Sequence, residues 1–250
     1  MRFSPFLVII ATGLLPFFSG HSKRNAIRDC RQCLVVLADD WHSYKGTMQC
    51  FERKDSDSPW RAHNSQIPVS LGATGLAWGR GLISPKPSTE PIKREGDQKA
   101  PAGIFFLGEA FGFAPADEAG WIKLPYRELS ADVIGVDDPR SRYYNQLIVK
   151  SQVAKPDWQS SEQMYRGDIR YKWGLVVAHN MPATRGAGSC IFFHIWKEAG
   201  YPTVGCTAMS EDNIVKILQW LDPTLHPLLV QMPRAKYSRL HARWNFPDAN

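Results

Sequence analysis

The sequence predicts a mainly β protein with a few helices, an α+β chain, on three observations. Short apolar runs of strand length recur along it, at residues 34–37 (LVVL), 104–107 (IFFL), 174–178 (GLVVA) and 189–196 (SCIFFHIW). The 19 Gly and 18 Pro are a modest excess that supplies many turns. Only one segment carries clear helical periodicity. At 250 residues the chain is one large domain or two small ones. With 44% hydrophobic and 12% aromatic residues it can pack a core, which excludes a disordered chain.

At the N-terminus, residues 1–22 (MRFSPFLVIIATGLLPFFSGHS) set one basic residue, Arg2, before an apolar run from Phe6 to Phe18. That run is shorter than the ~20 residues of a membrane span and suits the apolar region of a signal peptide. Gly13 and Pro16 weaken a permanent helix. No A-x-A site follows, the best small pair being Gly20 and Ser22, so an uncleaved anchor is the alternative. Export is the expectation.

Residues 34–37 read as a buried strand, and a second apolar run follows at 48–51 after a polar stretch containing Gly46. A hairpin there brings Cys33 and Cys50 together, and a bridge between them adds roughly 3 kcal/mol. The full set is Cys30, Cys33, Cys50, Cys190 and Cys206, an odd number that leaves at least one thiol unpaired. Cys30-x-x-Cys33 resembles a redox motif, but no βαβ pattern surrounds it. In an extended segment the two Cα atoms stand about 10 Å apart, beyond disulfide reach.

Residues 84–101 are polar and Pro-rich, a surface loop ahead of the strand at 104–107. Residues 151–170 are polar around Trp158 and read as a structured loop, followed by the strands at 174–178 and 189–196. The helix begins after Ser210, a capping residue, with Glu211 and Asp212 in its first turn. Ile214, Ile217, Leu218 and Leu221 form its apolar stripe, and Pro223 ends it. Residues 233–250 read as a C-terminal tail. The 30 basic against 24 acidic residues leave a net charge of +6, which permits an anionic partner without selecting one. The basic residues are spread and no nucleic-acid motif occurs, so nucleic acid is not an expected partner.

Chemistry concentrates in residues 179–209, which hold two His, two Cys and a Gly directly before Cys206. A Cys nucleophile needs a base and donors for the oxyanion. Gly205 permits a tight turn, and the helix start just beyond Cys206 favours a thiolate. Strand alternation places Cys190, Phe192, His194 and Trp196 on one face and Ile191, Phe193 and Ile195 on the other, turning His194 toward a cleft. Cys190 lies four strand residues from His194, about 13 Å away, against the roughly 3 Å a base requires. Cys206, behind a loop containing Gly and Pro, can fold back beside it. Two other readings stay open: a zinc site from His179, His194, Cys190 and Cys206, whose spacing matches no common zinc pattern, and a chain without catalysis.

Residues 188–209 (GSCIFFHIWKEAGYPTVGCTAM) resemble the catalytic core of the L,D-transpeptidase, or YkuD-like, domain. Residues 93–112 (KREGDQKAPAGIFFLGEAFG), 137–145 (DDPRSRYYN) and 178–180 (AHN) match one branch of that family in the same order. The resemblance covers roughly residues 33–232. It implies a YkuD-like β-sandwich or barrel catalytic domain over 33–232, behind a signal peptide at 1–22, in the periplasm or envelope of a bacterium. It implies an enzyme acting on peptidoglycan stem peptides through a cysteine acyl-enzyme, with no metal or organic cofactor. By the resemblance Cys206 is the nucleophile and His194 the base, while Gly205 and neighbouring amides hold the oxyanion. Thr203, Ser189, His179, Asn180, Tyr144 and Asn145 would line the cleft, with Glu95 and Asp97 matching the branch. Lys93 and Arg94 read as a solvated face. Many members carry S-H-G-C with Arg or Asn two residues later; here Thr203, Val204, Gly205 and Cys206 stand there, with Ala208 beyond. Substrate orientation and acceptor choice are therefore not carried over. The same scaffold admits a hydrolase, an L,D-carboxypeptidase or a peptidase or amidase releasing wall-attached groups. A non-catalytic wall-binding module is the remaining reading.

Overall fold

The computed structural model describes residues 23–83 and 89–249, so the signal-like segment 1–22 and part of the loop at 84–101 lie outside the described residues. The elements in chain order are α1 (Lys23–Asp29), β1 (Gln32–Ala38), β2 (Lys45–Glu52), β3 (Arg61–Ala62), β4 (Ile67–Ser70), β5 (Leu76–Trp78) and β6 (Ala100–Gly112). There follow β7 (Tyr126–Glu128), β8 (Val133–Val136), β9 (Gln146–Val149), β10 (Glu162–Gln163), β11 (Trp173–Val177), β12 (Phe192–Ile195) and β13 (Thr207–Met209). Helix α2 (Glu211–Trp220), β14 (Leu228–Pro233) and α3 (Arg234–Leu240) complete the chain. The mainly β expectation holds. Among the described residues no helix is long and apolar enough to cross a membrane.

Eight strands close into a barrel in the order β1-β14-β6-β11-β12-β13-β4-β2, and the antiparallel β1–β2 pair seals it. Closure removes the unpaired edges that an open sheet would expose. A separate three-stranded sheet, β10-β8-β9, stands beside it. Register separates inside from outside, because paired residues share a face. Thr207 pairs with Phe193, and Phe193 with Leu175, along the inner face. Thr207 Oγ1 donates to Gln231 Oε1 at 2.7 Å, joining β13 to β14, which are not neighbours in the sheet. That bond crosses the barrel interior, and Gln231 Nε2 continues it to Pro101 O at 2.8 Å. The alternate positions Phe192 and His194 therefore face outward.

The helix stripe on α2 is as read: Ile214, Ile217, Leu218 and Leu221 are all buried. Ser210 takes the cap position with extended backbone, but its side chain makes no capping bond. The expected tail at 233–250 is instead part of the fold. Helix α3 packs on β14 and β1, Tyr237 Oη donates to Pro247 O at 2.6 Å, and Phe246 and Ala249 join the core. Every position of β1 is buried, so its outer face needs this cover.

The Cys33–Cys50 bridge is not present; both thiols are free. The hairpin does form, but its register sets Cys50 opposite Leu34 and Cys33 opposite Phe51. One residue of offset turns the two side chains to opposite faces of the wall. Gly46 lies inside β2 opposite Ala38 rather than in the connecting turn. A Cβ there would stand 2.7 Å from Leu37 O. Of the expected loop 84–101, Ala100 and Pro101 already belong to β6. Residues 151–170 are structured as expected, and they carry β10.

Candidate active site

Strands β12 and β13 run parallel, with His194 beside Ala208 and Phe193 beside Thr207. One step before β13, Cys206 comes level with Phe192, whose amide donates to Cys206 Sγ at 3.3 Å. Cys206 and His194 thus share the outer face on adjacent strands, at a diagonal offset for which Cβ atoms lie ~7–8 Å apart. The face assigned to His194 by alternation is correct. The chain reaches this point through Gly205, at φ +148°, a conformation L side chains rarely adopt. Thr203 braces that turn: its Oγ1 accepts from Gly205 N at 3.1 Å and donates to Cys206 O at 2.7 Å. The Gly205 amide is therefore engaged, contrary to the oxyanion role expected of it, and the amide that reaches the sulfur is that of Phe192.

The site is enclosed, with Cys206 4% and His194 7% exposed. Burial pushes the Cys206 thiol up to about 12, the Glu162 carboxylate adds to the rise, and the Phe192 amide, Lys93 and Arg166 oppose it. The expected help from the α2 dipole is absent. Residues 207–210 separate Cys206 from the helix start at Glu211, beyond the one turn over which the dipole acts. His194 Nδ1 lies 2.8 Å from Ile195 O. A carbonyl only accepts, so Nδ1 carries the proton and Nε2 keeps the lone pair a base requires. Burial lowers this imidazole to about 4, and Arg170 and Arg166 lower it further against the pull of the Ile195 bond. Thiol and imidazole are both neutral at pH 7.

This electrostatic state has a measurable consequence. Iodoacetamide should label Cys206 at pH 7.5 about 10³-fold more slowly than a free cysteine, because the thiolate fraction is that much smaller. The rate should rise about tenfold per pH unit through pH 10. A rate that levels off near pH 9 would show an ordinary thiol.

The 151–171 segment supplies residues that sequence reasoning missed. The Tyr171 ring meets His194 edge-on at 5.3 Å and Phe192 at 5.8 Å. Its hydroxyl donates to Glu162 Oε1 at 2.6 Å, and Arg166 reaches the same oxygen at 3.3 Å. Glu162 pairs with Gly135 on β8, and a Cβ on Gly135 would meet Cys190 Sγ at 2.9 Å. This face of the small sheet therefore looks onto the cysteines. The only sequence trace was an acid and a base four residues apart.

The remaining residues expected to line the cleft hold the loop that delivers β12. Asn145, at φ +63°, donates from Nδ2 to His179 O (2.9 Å) and Asn180 O (3.0 Å) and accepts from Cys190 N (2.9 Å). Asn180 Nδ2 donates to Thr184 O and Gly188 O, each at 3.0 Å. His179 Nδ1 accepts from Arg80 N at 3.2 Å, so its protonated Nε2 donates to Ala187 O at 3.0 Å. Tyr144 donates to Glu95 and accepts from Gly188 N at 3.1 Å, and Ser189 Oγ donates to Glu95 Oε2 at 2.8 Å. Lys93 is not solvated: its side chain is buried and its Nζ bonds Asp97 at 2.5 Å and Arg94 O at 2.7 Å. Cys190 O in turn lies 3.6 Å from Cys206 Sγ, which donates to it. These side chains position the loop; none of their polar atoms bonds Cys206 or His194 directly. His179 is occupied by two backbone partners, and among the described residues no three His, Cys, Asp or Glu side chains are grouped to hold a metal ion.

Asn145→Ala removes three bonds and leaves an Ala at positive φ. It should cost roughly 2–3 kcal/mol of stability, read as a drop in the urea midpoint. A change under about 0.5 kcal/mol would deny Asn145 this bracing role.

Compared with protein-family models, curated proteins and solved structures, the chain matches none of them.

Proposed function

We propose that the protein is a cysteine acyltransferase of the L,D-transpeptidase, YkuD-like, class, acting on peptidoglycan stem peptides of a bacterial envelope. The observation that carries the reading is Cys206 beside His194 on the outer face of β12 and its neighbour, with Nδ1 of the imidazole tied to Ile195 O. Segment 1–22 would deliver the chain across the cytoplasmic membrane.

In the proposed reaction His194 Nε2 takes the Cys206 proton as the sulfur attacks the stem-peptide carbonyl that precedes the terminal D-alanine. The C–N bond then breaks and the imidazolium returns its proton to the leaving amine. The thioester left on Cys206 passes its acyl group to an amine of a second stem: the C–S bond breaks, and Nε2 accepts the proton that amine gives up and returns it to the departing Cys206 sulfur. Neutrality before substrate arrives limits the cost of burying the pair, because charge develops only during attack.

Intact mass spectrometry with a disaccharide tetrapeptide tests the reading. An adduct on Cys206 equal to the donor minus D-alanine is expected, and an added D-amino acid should appear in the product. A folded protein that forms neither adduct nor product would end the proposal. A product unchanged by the added amine would make it a hydrolase.

A further inference from the structure

Tyr171 takes no part in the proposed proton transfers, yet its ring touches the strand of the base at two places. It is buried and ends the short 3-10 turn Ile169–Tyr171, which Asp168 caps by accepting from Arg170 N at 3.0 Å. Just beyond it, Gly174 of β11 stands opposite His194 of β12. Gly174 also pairs with Phe111 of β6, and a Cβ on it would lie 2.2 Å from the Phe111 ring. A glycine in a strand marks such a close approach. Here it lets the Phe111 ring lie across β11, and Tyr171 comes down beside that ring, against Phe192 and His194.

Three of these rings close on one another. Phe111 meets Phe192 at 5.2 Å and Tyr171 at 5.7 Å, and Tyr171 meets Phe192 at 5.8 Å, with interplanar angles of 81°, 86° and 86°. Edge-to-face contact is a favoured geometry of ring pairs, and a closed set of such contacts leaves each ring little room to turn. A fourth contact joins the set to the base: Tyr171 meets His194 at 5.3 Å and 85°. Among the described residues no other ring meets His194. Cys206 belongs to the same buried cluster as the three rings, and the Phe192 amide reaches its sulfur. The tip of Tyr171 is tied separately, to Glu162 on β10, and Arg166 stands 5.5 Å from the ring centre.

His194 needs such a contact. Its Nδ1 bond to Ile195 O selects a tautomer, but a single hydrogen bond of modest net strength only biases a side chain with two torsions. Cys206 lies diagonally across the strand pair, one step before the β13 residues that pair with β12. Nε2 therefore faces the sulfur in one setting of the imidazole and swings away as the ring turns about Cβ–Cγ. A ring packed at right angles to the imidazole blocks that turn.

The geometry points to Tyr171 as the positioning residue of the dyad: its ring, rather than its hydroxyl, holds the imidazole with Nδ1 on Ile195 O and Nε2 toward Cys206. The inference rests on His194 being the base of the proposed reaction. Full-length chains carrying Tyr171→Met and Tyr171→Phe test it. Methionine fills the volume without a ring, whereas phenylalanine keeps the ring and loses the Glu162 bond. With the disaccharide tetrapeptide, Tyr171→Met should lower kcat by roughly 10- to 10²-fold and leave KM within about twofold, because a misplaced base acts on the chemical step. Tyr171→Phe should hold kcat within about threefold of the parent chain. A merely structural residue would lower Tm without that split.

Long-range proton–nitrogen NMR spectra of the imidazole read the same point without substrate. The parent chain and Tyr171→Phe should show one tautomer, protonated at Nδ1, and Tyr171→Met should show exchange between two. A parent chain that turns over nothing would end the acyltransferase reading, and this spectrum alone would then decide whether Tyr171 places His194. A single tautomer retained in Tyr171→Met would overturn the inference, as would equal losses of kcat in the two variants. If Tyr171→Met does not fold, cross-relaxation between the Tyr171 and His194 ring protons of the parent chain decides: its presence upholds the contact, and its absence overturns the inference.

Discussion

Cys206→Ser leaves the barrel folded and lowers turnover of a disaccharide tetrapeptide by at least ~10³-fold. A serine hydroxyl fits where the thiol now accepts from the Phe192 amide and donates to Cys190 O, so the local bonds keep their partners. The hydroxyl ionises far less readily than the thiol, and one imidazole held as a neutral base does not make up the difference. The melting curve should shift by no more than a few degrees, which separates lost chemistry from lost fold. His194→Gln should lose at least ~10²-fold, and the double variant should lose little beyond Cys206→Ser, because the two groups act in one step. Turnover by Cys206→Ser within tenfold of the parent chain would remove Cys206 from the mechanism.

Acid should weaken the fold across a defined window. His194 and His179 each titrate near 4 in the folded chain, both held down chiefly by burial. The groups around His194 are Arg170 and Arg166, which depress it, and Asp168, which raises it. Around His179, Lys93 and Arg80 depress it while Asp97 and the Ala187 carbonyl raise it. Unfolding returns both to about 6.5. Between those values the unfolded chain binds more protons, so stability rises with pH through the window and is lost as pH falls from about 6.5 toward 4. A shift of that size amounts to roughly 3 kcal/mol for each histidine. The urea midpoint should therefore be flat from pH 7 to 8 and drop steeply from pH 6 to 4.5. His194→Gln should remove about half of the slope. A midpoint indifferent to pH over this range would mean that the imidazoles are solvated, and with that the enclosed dyad would be lost.

Much of this was legible in local pattern. The α2 stripe of Ile214, Ile217, Leu218 and Leu221 needed only a 3.6-residue period. The alternation of residues 189–196 assigned His194 its face, because the side-chain period of a strand is a property of the strand alone. The strand itself begins only at Phe192, and Cys190, at φ +52°, lies outside it, so the spacing that set Cys190 apart from His194 along a regular strand does not apply; in the structure Cys190 contributes its carbonyl to Cys206.

The misreadings share a cause. Cys33 and Cys50 were placed in the right hairpin, yet a one-residue offset in register sent their side chains to opposite faces. Register depends on what the rest of the barrel buries, and no window of a few residues contains it. The tail at 233–250 had too little periodicity to announce itself. It folds because β1 and β14 leave an apolar outer face for Tyr237 and Phe246 to cover.

By itself, then, the sequence determined the mainly β class, the long helix and the outward face of His194. Only the tertiary structure decided that strands far apart in the chain close into a barrel and that the Phe192 amide, not Gly205, reaches the sulfur. It also decided that burial keeps the Cys206 thiol and the His194 imidazole neutral. Side-chain periodicity is set by the backbone of each element, whereas register, enclosure and dielectric are set by partners that only folding brings near.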